Sequence, residues 1–106
     1  MSVGIIMGNV AKMAVFTVSL DVASVSANTT AEQTFTVTGL KTGDFVYVDK
    51  PSANAGLGVV NARVSANDTL ALTFVNATSG AIDPSAETYT ILVVRPEAVV
   101  TGLPIG

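Results

Sequence analysis

Histidine, cysteine and tryptophan are absent from this 106-residue chain. Without histidine there is no side chain that titrates near neutrality, and the commonest general base and metal ligand is missing. Without cysteine there are no disulfides and no thiolate chemistry, so the redox compartment is left unconstrained. Ser-His-Asp and Cys-His catalysis are excluded outright, and a zinc site would need an unusual all-oxygen shell. Charge is scarce as well: 12% of residues are charged, with eight acidic and five basic side chains scattered singly for a net charge of -3. That balance attracts neither nucleic acid nor an anionic membrane. No apolar run reaches the roughly 18 residues that cross a bilayer. The opening "MSVGIIMGNVAKMAVF" has no basic segment ahead of its apolar residues, so a signal peptide is not expected. A folded or co-assembled product of the cytoplasm is.

What is present is β-branched. Seventeen Val and thirteen Thr favour strands over helices, and no ten-residue stretch carries a 3.6-residue apolar stripe. Hydrophobic residues make up 49% of the chain, which argues against disorder. The length suits one domain with a modest core. The expected organisation is an N-terminal arm at 1–10, a single β domain at 11–96 and a C-terminal tail at 97–106.

Period-2 alternation marks the strands. In "KMAVFTVSL" (12–20), Ala14, Phe16, Val18 and Leu20 share a face. A short strand is expected at 22–25, and a clearer one in "QTFTVTGL" (33–40). Turn chemistry at Gly39 and Lys41–Asp44 precedes "FVYVDK", which Pro51 ends. "VVNARVSANDTLALTFVNAT" (59–78) reads as a hairpin: Val60, Ala62 and Val64 face one way, Ser65–Asp68 turn, and Leu70, Leu72 and Phe74 restore the buried face. "TYTILVVR" (88–95) is the last long strand, closed by Pro96. Six to eight short strands with polar turns predict an all-β fold, an antiparallel β-sandwich or small jelly-roll-like barrel. "VSANTT" (25–30) and "VSANDT" (64–69) lie 39 residues apart and leave open two related β units.

The remaining chemistry is thin. Asp44 and Asp49 bracket "FVYV" near opposite ends and faces of one strand, a poor geometry for a paired acid and base. Asp83-Pro84 reads as a turn, and no Asp/Asn alternation of a calcium loop is present. Lys12, Lys41 and Lys50 sit at expected strand ends or turns as solvated lysines guarding edges. "GLKTGD" lacks the order of a phosphate-binding loop. The six aromatics are embedded in apolar strands and are expected in the core. Asn28, Asn67 and Asn76 each begin an Asn-x-Thr triplet, and all three fit ordinary turns or strand ends. The chain is therefore not expected to be an enzyme, to bind a cofactor or to hold a metal.

Two features point to surfaces instead. Val3, Ile5, Ile6 and Met7 form an apolar arm, and Val99, Val100, Leu103 and Ile105 an apolar tail; contiguous apolar patches mark interfaces. "FVYV" and "ILVV" are moreover apolar on both faces, one more than a two-sheet sandwich covers. The small-residue loop Ala53–Gly58, with Gly56 and Gly58, permits close approach of another backbone. These ten positions are the candidate contact residues, with oligomerisation or docking to a larger assembly as their use.

Residues 34–96, with the "TGLKTGD" turn, the "GLGVVNARVSANDTLALTFVNAT" body and the closing "YTILVV" strand, resemble small β-domain structural proteins of tailed bacteriophages, most of all capsid decoration or cement proteins. The resemblance implies a homo-oligomer, a trimer above all, seated on the major capsid protein at the outer surface of the capsid and stabilising the shell. It carries no catalytic residue. A receptor- or carbohydrate-binding β module is the competing expectation, and it requires exposed aromatic platforms.

Overall fold

The computed structural model describes residues 9–98 and 101–102. Six strands are formed: β1 (Val10–Leu20), β2 (Thr29–Thr36), β3 (Phe45–Asp49), β4 (Leu57–Ala66), β5 (Thr69–Asn76) and β6 (Glu87–Pro96). They make two three-stranded antiparallel sheets, ordered β1-β6-β3 and β2-β5-β4. The sheets face each other as a sandwich. Only β4–β5 is a hairpin within one sheet; every other connection crosses from one sheet to the other. In strand order alone, this corresponds to the B-E-D and C-F-G parts of an immunoglobulin-type sandwich. Here β1 takes the place of the closing strand.

The core follows from alternation on the two central strands. Leu70, Leu72 and Phe74 of β5 meet Tyr89, Ile91 and Val93 of β6, all buried. Each such side chain contributes roughly 1.5–3 kcal/mol by leaving water. Val22, Val25, Val37 and Leu40, from the crossing loops, close the ends of this core.

Several boundaries differ from the pattern-based expectation. The strand expected at 33–40 starts and ends earlier, at Thr29–Thr36, because its ladder is set by β5, from Thr29 opposite Asn76 to Thr36 opposite Thr69. Beyond that the chain leaves the sheet: the Val37 N–H donates to Asp68 O, and the Asp68 N–H to Leu40 O. The strand expected at 22–25 reduces to a single bridge between Val25 and Ile82. The hairpin turn is tighter than 65–68, with only Asn67 and Asp68 between the strands.

Val60 does not share the inward face of Ala62 and Val64. Val59 is opposite Phe74 and Asn61 opposite Thr73, so one extra residue is accommodated in β4 at this point. Such a bulge turns the extra side chain away from its expected face. Val60 is exposed while Val59 packs on the core.

The two "VSAN" segments are not equivalent in the fold. The left-handed residue is Asn28 in the first and Asp68 in the second, one position later in the aligned motif. Asn and Asp tolerate that conformation better than other non-glycine residues. Asp68 also accepts the Gly39 N–H at 2.8 Å, which ties the hairpin to the β2–β3 connection.

Candidate interaction face

The inward row of β6 runs Glu87, Tyr89, Ile91, Val93, Arg95, so an apolar stretch ends in a charge on each side. Both charges are paired with residues that flank β3. Arg95 donates to both carboxylate oxygens of Asp44, from Nε at 2.7 Å and Nη2 at 2.8 Å. Its Nη2 also donates to Gly39 O, and the Lys41 N–H reaches Asp44 Oδ2 at 2.9 Å. The guanidinium and that N–H hold the Asp44 carboxyl below its ordinary pKa despite burial, which acts the other way. At the far end Lys50 Nζ lies 2.8 Å from Glu87 Oε2 and donates to Ser52 O and Asn54 Oδ1. The Ser52 hydroxyl donates to Glu87 Oε1 at 2.6 Å. Lys50 and Ser52 together lower the Glu87 pKa against its partial burial.

Lys50 is thus not a solvated guard: its side chain is largely buried and fixed. The reason is spatial, since Glu87 lies 37 positions away and enters only through the β3–β6 pairing. Asp44 and Asp49 do not form a site either; Asp44 belongs to the Arg95 brace and Asp49 is exposed. Asn76 is buried at the end of β5, where its Nδ2 donates to Val25 O and Gly80 O and its Oδ1 accepts the Thr78 N–H. A glycan cannot be attached there in the folded chain.

With β3 clamped at both ends, the direction of its side chains is set. Val46 faces the core, which sends Phe45 and Tyr47 outward, against the expectation that the aromatics are internal. The register then builds two cross-strand rows on the outer face of this sheet. Met13 is opposite Val94, which is opposite Phe45; Val15 is opposite Leu92, which is opposite Tyr47. A third row, Thr17, Thr90 and Asp49, bounds the patch with polar groups. Four of the six apolar side chains are strongly exposed: Met13 at 53%, Val15 at 69%, Phe45 at 64% and Tyr47 at 62%; the bulged Val60, at 58%, stands across the groove between β3 and β4.

The opposite outer face has another character. Thr30, Glu32, Thr34 and Thr36 of β2 lie opposite Val75, Thr73, Ala71 and Thr69 of β5, and Asn61 and Arg63 of β4 lie opposite Thr73 and Ala71. Arg63 Nε and Nη2 each donate to Glu32 at 2.8 Å. The Arg63 guanidinium keeps the Glu32 pKa below its ordinary value. One sheet therefore presents a largely polar, ion-paired surface, and the other an apolar centre with Asp49 at its edge.

Of the sequence-derived contact residues, Val3, Ile5, Ile6, Met7, Val99, Val100, Leu103 and Ile105 lie outside the described residues. Gly56 has φ +81°, and a Cβ there would sit 2.3 Å from Thr78 Cγ2, so its close approach is to a side chain of its own chain. Gly58 is half-buried against Val75. The face built by Met13, Val15, Phe45 and Tyr47 was missed. Its signal is the double apolarity of "FVYV" and "ILVV", which shows that a second face needs cover without showing which residues form it.

No group of three or more His, Cys, Asp or Glu side chains placed to hold a metal occurs among the described residues. No protein-family model matches the chain, and no characterised protein or solved structure matches it significantly.

Proposed function

We propose that this chain is a non-catalytic structural protein of a tailed-phage virion: a head decoration protein that sits on the outer surface of the capsid and bridges major capsid protein subunits. The observation that carries this reading is the uncovered apolar face of the β1-β6-β3 sheet. Contiguous apolar surface of this kind is used for contact between proteins. The described ion pairs support it, because Asp44–Arg95, Lys50–Glu87 and Glu32–Arg63 each tie two strands together and serve as braces. The sequence resemblance supplies the virion setting.

The exposed Phe45 and Tyr47 favour a second reading, a carbohydrate-binding platform. Sugar recognition combines an aromatic plane with precisely placed polar groups. Here the neighbours on the face are Met13, Val15, Leu92 and Val94, which suits protein better than sugar.

The test is co-sedimentation with undecorated shells assembled from the major capsid protein of the same genome. Saturable binding, together with greater resistance of the shells to heating, is the expected result. Shells that sediment without the protein at any concentration refute the decoration role. Retention on a glycan array at Phe45 and Tyr47 transfers the function to the second reading.

A further inference from the structure

We infer that a second copy of this chain covers the outer face of the β1-β6-β3 sheet, so that the protein in solution is a twofold dimer packed sheet against sheet. The inference goes beyond the decoration reading, since it needs no shell.

Area is the first argument. Aromatic side chains present about 150–250 Å² each, so at the exposures of Phe45 and Tyr47 the pair offers on the order of 250 Å². Met13, Val15 and the partly covered Leu92 and Val94 bring the apolar face to on the order of 500 Å² per copy. Two such faces, fully covered, remove on the order of 1,000 Å² from water, about the threshold of a specific interface. One face alone is in the range where a monomer's largest patch already marks a function.

Composition is the second argument. Interface centres are depleted of charge and enriched in Tyr, Phe and Met, and the two central rows contain Met13, Phe45 and Tyr47 with no charged residue. The polar boundary row of Thr17, Thr90 and Asp49 supplies a rim. The outer face of the other sheet, with its Glu32–Arg63 pair, has neither property.

Shape fixes the number of copies. A sheet face is covered by one other sheet face, stacked about 10 Å away. When both faces are the same surface, the contact is isologous and closes at two copies. The unit the face specifies is therefore a pair, where the resemblance implies three.

The experiment is light-scattering mass across a dilution series, on the full chain and on three variants. The full chain is expected at twice the 10.8 kDa chain mass, falling to one chain mass on dilution. Val15→Lys and Tyr47→Glu, both at exposed positions, are expected to remain at one chain mass throughout while keeping the circular dichroism of the parent and, at a dilution where the parent too is at one chain mass, its urea midpoint. Thr34→Lys, on the opposite outer face, is expected to dimerise like the parent. One chain mass for the parent at the highest concentration overturns the inference and means another segment or another protein covers the face. A threefold mass overturns it too, as does a dimer that survives both Val15→Lys and Tyr47→Glu. Shell binding is measured separately, so either idea can fail without the other.

Discussion

Replacing Asn76 by Asp tests whether one buried amide holds a corner of the sandwich together. The substitution is isosteric and keeps both acceptor interactions of the side chain: the Thr78 N–H at 2.9 Å and the Thr78 hydroxyl at 2.7 Å. It removes both donations, to Val25 O at 3.0 Å and Gly80 O at 2.9 Å, and sets an oxygen against each carbonyl. A buried acceptor stripped of its partner costs about 1–3 kcal/mol. Thr78 Oγ1 also lies 2.8 Å from Gly80 O, but its single proton can serve only one acceptor at a time. Val25 O keeps the Ile82 N–H at 3.0 Å, so the cost comes from one stripped carbonyl at Gly80, the carboxylate oxygen set against both carbonyls, and a desolvated charge. Together they predict a loss of about 3–6 kcal/mol at pH 7, a large part of the stability of about 5–15 kcal/mol expected of a natural protein.

The same geometry gives a sign with pH. Burial and the facing carbonyls raise the pKa of the new carboxyl above its unfolded value. Its protonated form can donate to one of the two carbonyls. A raised folded-state pKa contributes stability below the unfolded pKa and loses it as pH rises through the folded one. The gap between N76D and the parent should thus narrow from pH 7 to pH 4. Urea unfolding followed by circular dichroism at both pH values measures it. A difference below about 1 kcal/mol at pH 7, the size of one ordinary net hydrogen bond, or a gap that widens on acidification, refutes the account of this corner.

Three other outcomes follow from single contacts. G56A should cost about 2–4 kcal/mol in urea unfolding, because it adds a side chain at φ +81° and drives Cβ into Thr78 Cγ2; T78S removes that methyl, so G56A/T78S should recover part of the loss and retain about 1 kcal/mol. Tyr89 is buried with no hydrogen-bond partner for its hydroxyl among the described residues, and burial, then the Glu87 charge, pushes its pKa up to about 12. Y89F should be neutral or stabilising by up to about 1 kcal/mol, and should abolish the late phase of phenolate absorbance in an alkaline titration. The parent's stability should also decline above about pH 10, because a raised phenol pKa favours the folded state only while the phenol is neutral. Asp44 and Glu87 both have lowered pKa values, so they stabilise above the ordinary carboxylate range and that stability disappears as pH falls through their folded values. D44N should flatten the acid limb of a urea-midpoint profile, and an unchanged limb would remove Asp44–Arg95 as its source.

The period-2 signal was enough to find β1, β5 and β6 and to place Leu70, Leu72 and Phe74 inside, because β5 buries one alternating face against the other sheet. It failed where the decisive contact was distant. Lys50 looks solvated until β3 pairs with β6 and brings Glu87 beside it, and Asp44 meets Arg95 across 51 positions. Val60 reads as a core residue until the bulge shifts the register. In "FVYV" both alternating sets are apolar, so periodicity has no power to say which set turns inward. The braces at Asp44 and Lys50 make that choice, and the interaction face is its by-product.

The side-by-side placement of β1 and β6, with Val10 opposite Pro96, also governs how the chain can be made. Synthesis proceeds from the N-terminus at about 5–20 residues per second. The β1 segment leaves the ribosome early, yet its one ladder partner is the last of the six strands to emerge. All three strands of the β2-β5-β4 sheet leave the ribosome before β6 does; the β1-β6-β3 sheet must wait, since β6 is its centre. For β1, loop closure over most of the domain must precede the first backbone pairing, the circumstance that slows folding of all-β chains. For the seconds in between, Met13 and Val15 ride on an unpaired edge-forming segment, open to the nascent chains of neighbouring ribosomes on the same message.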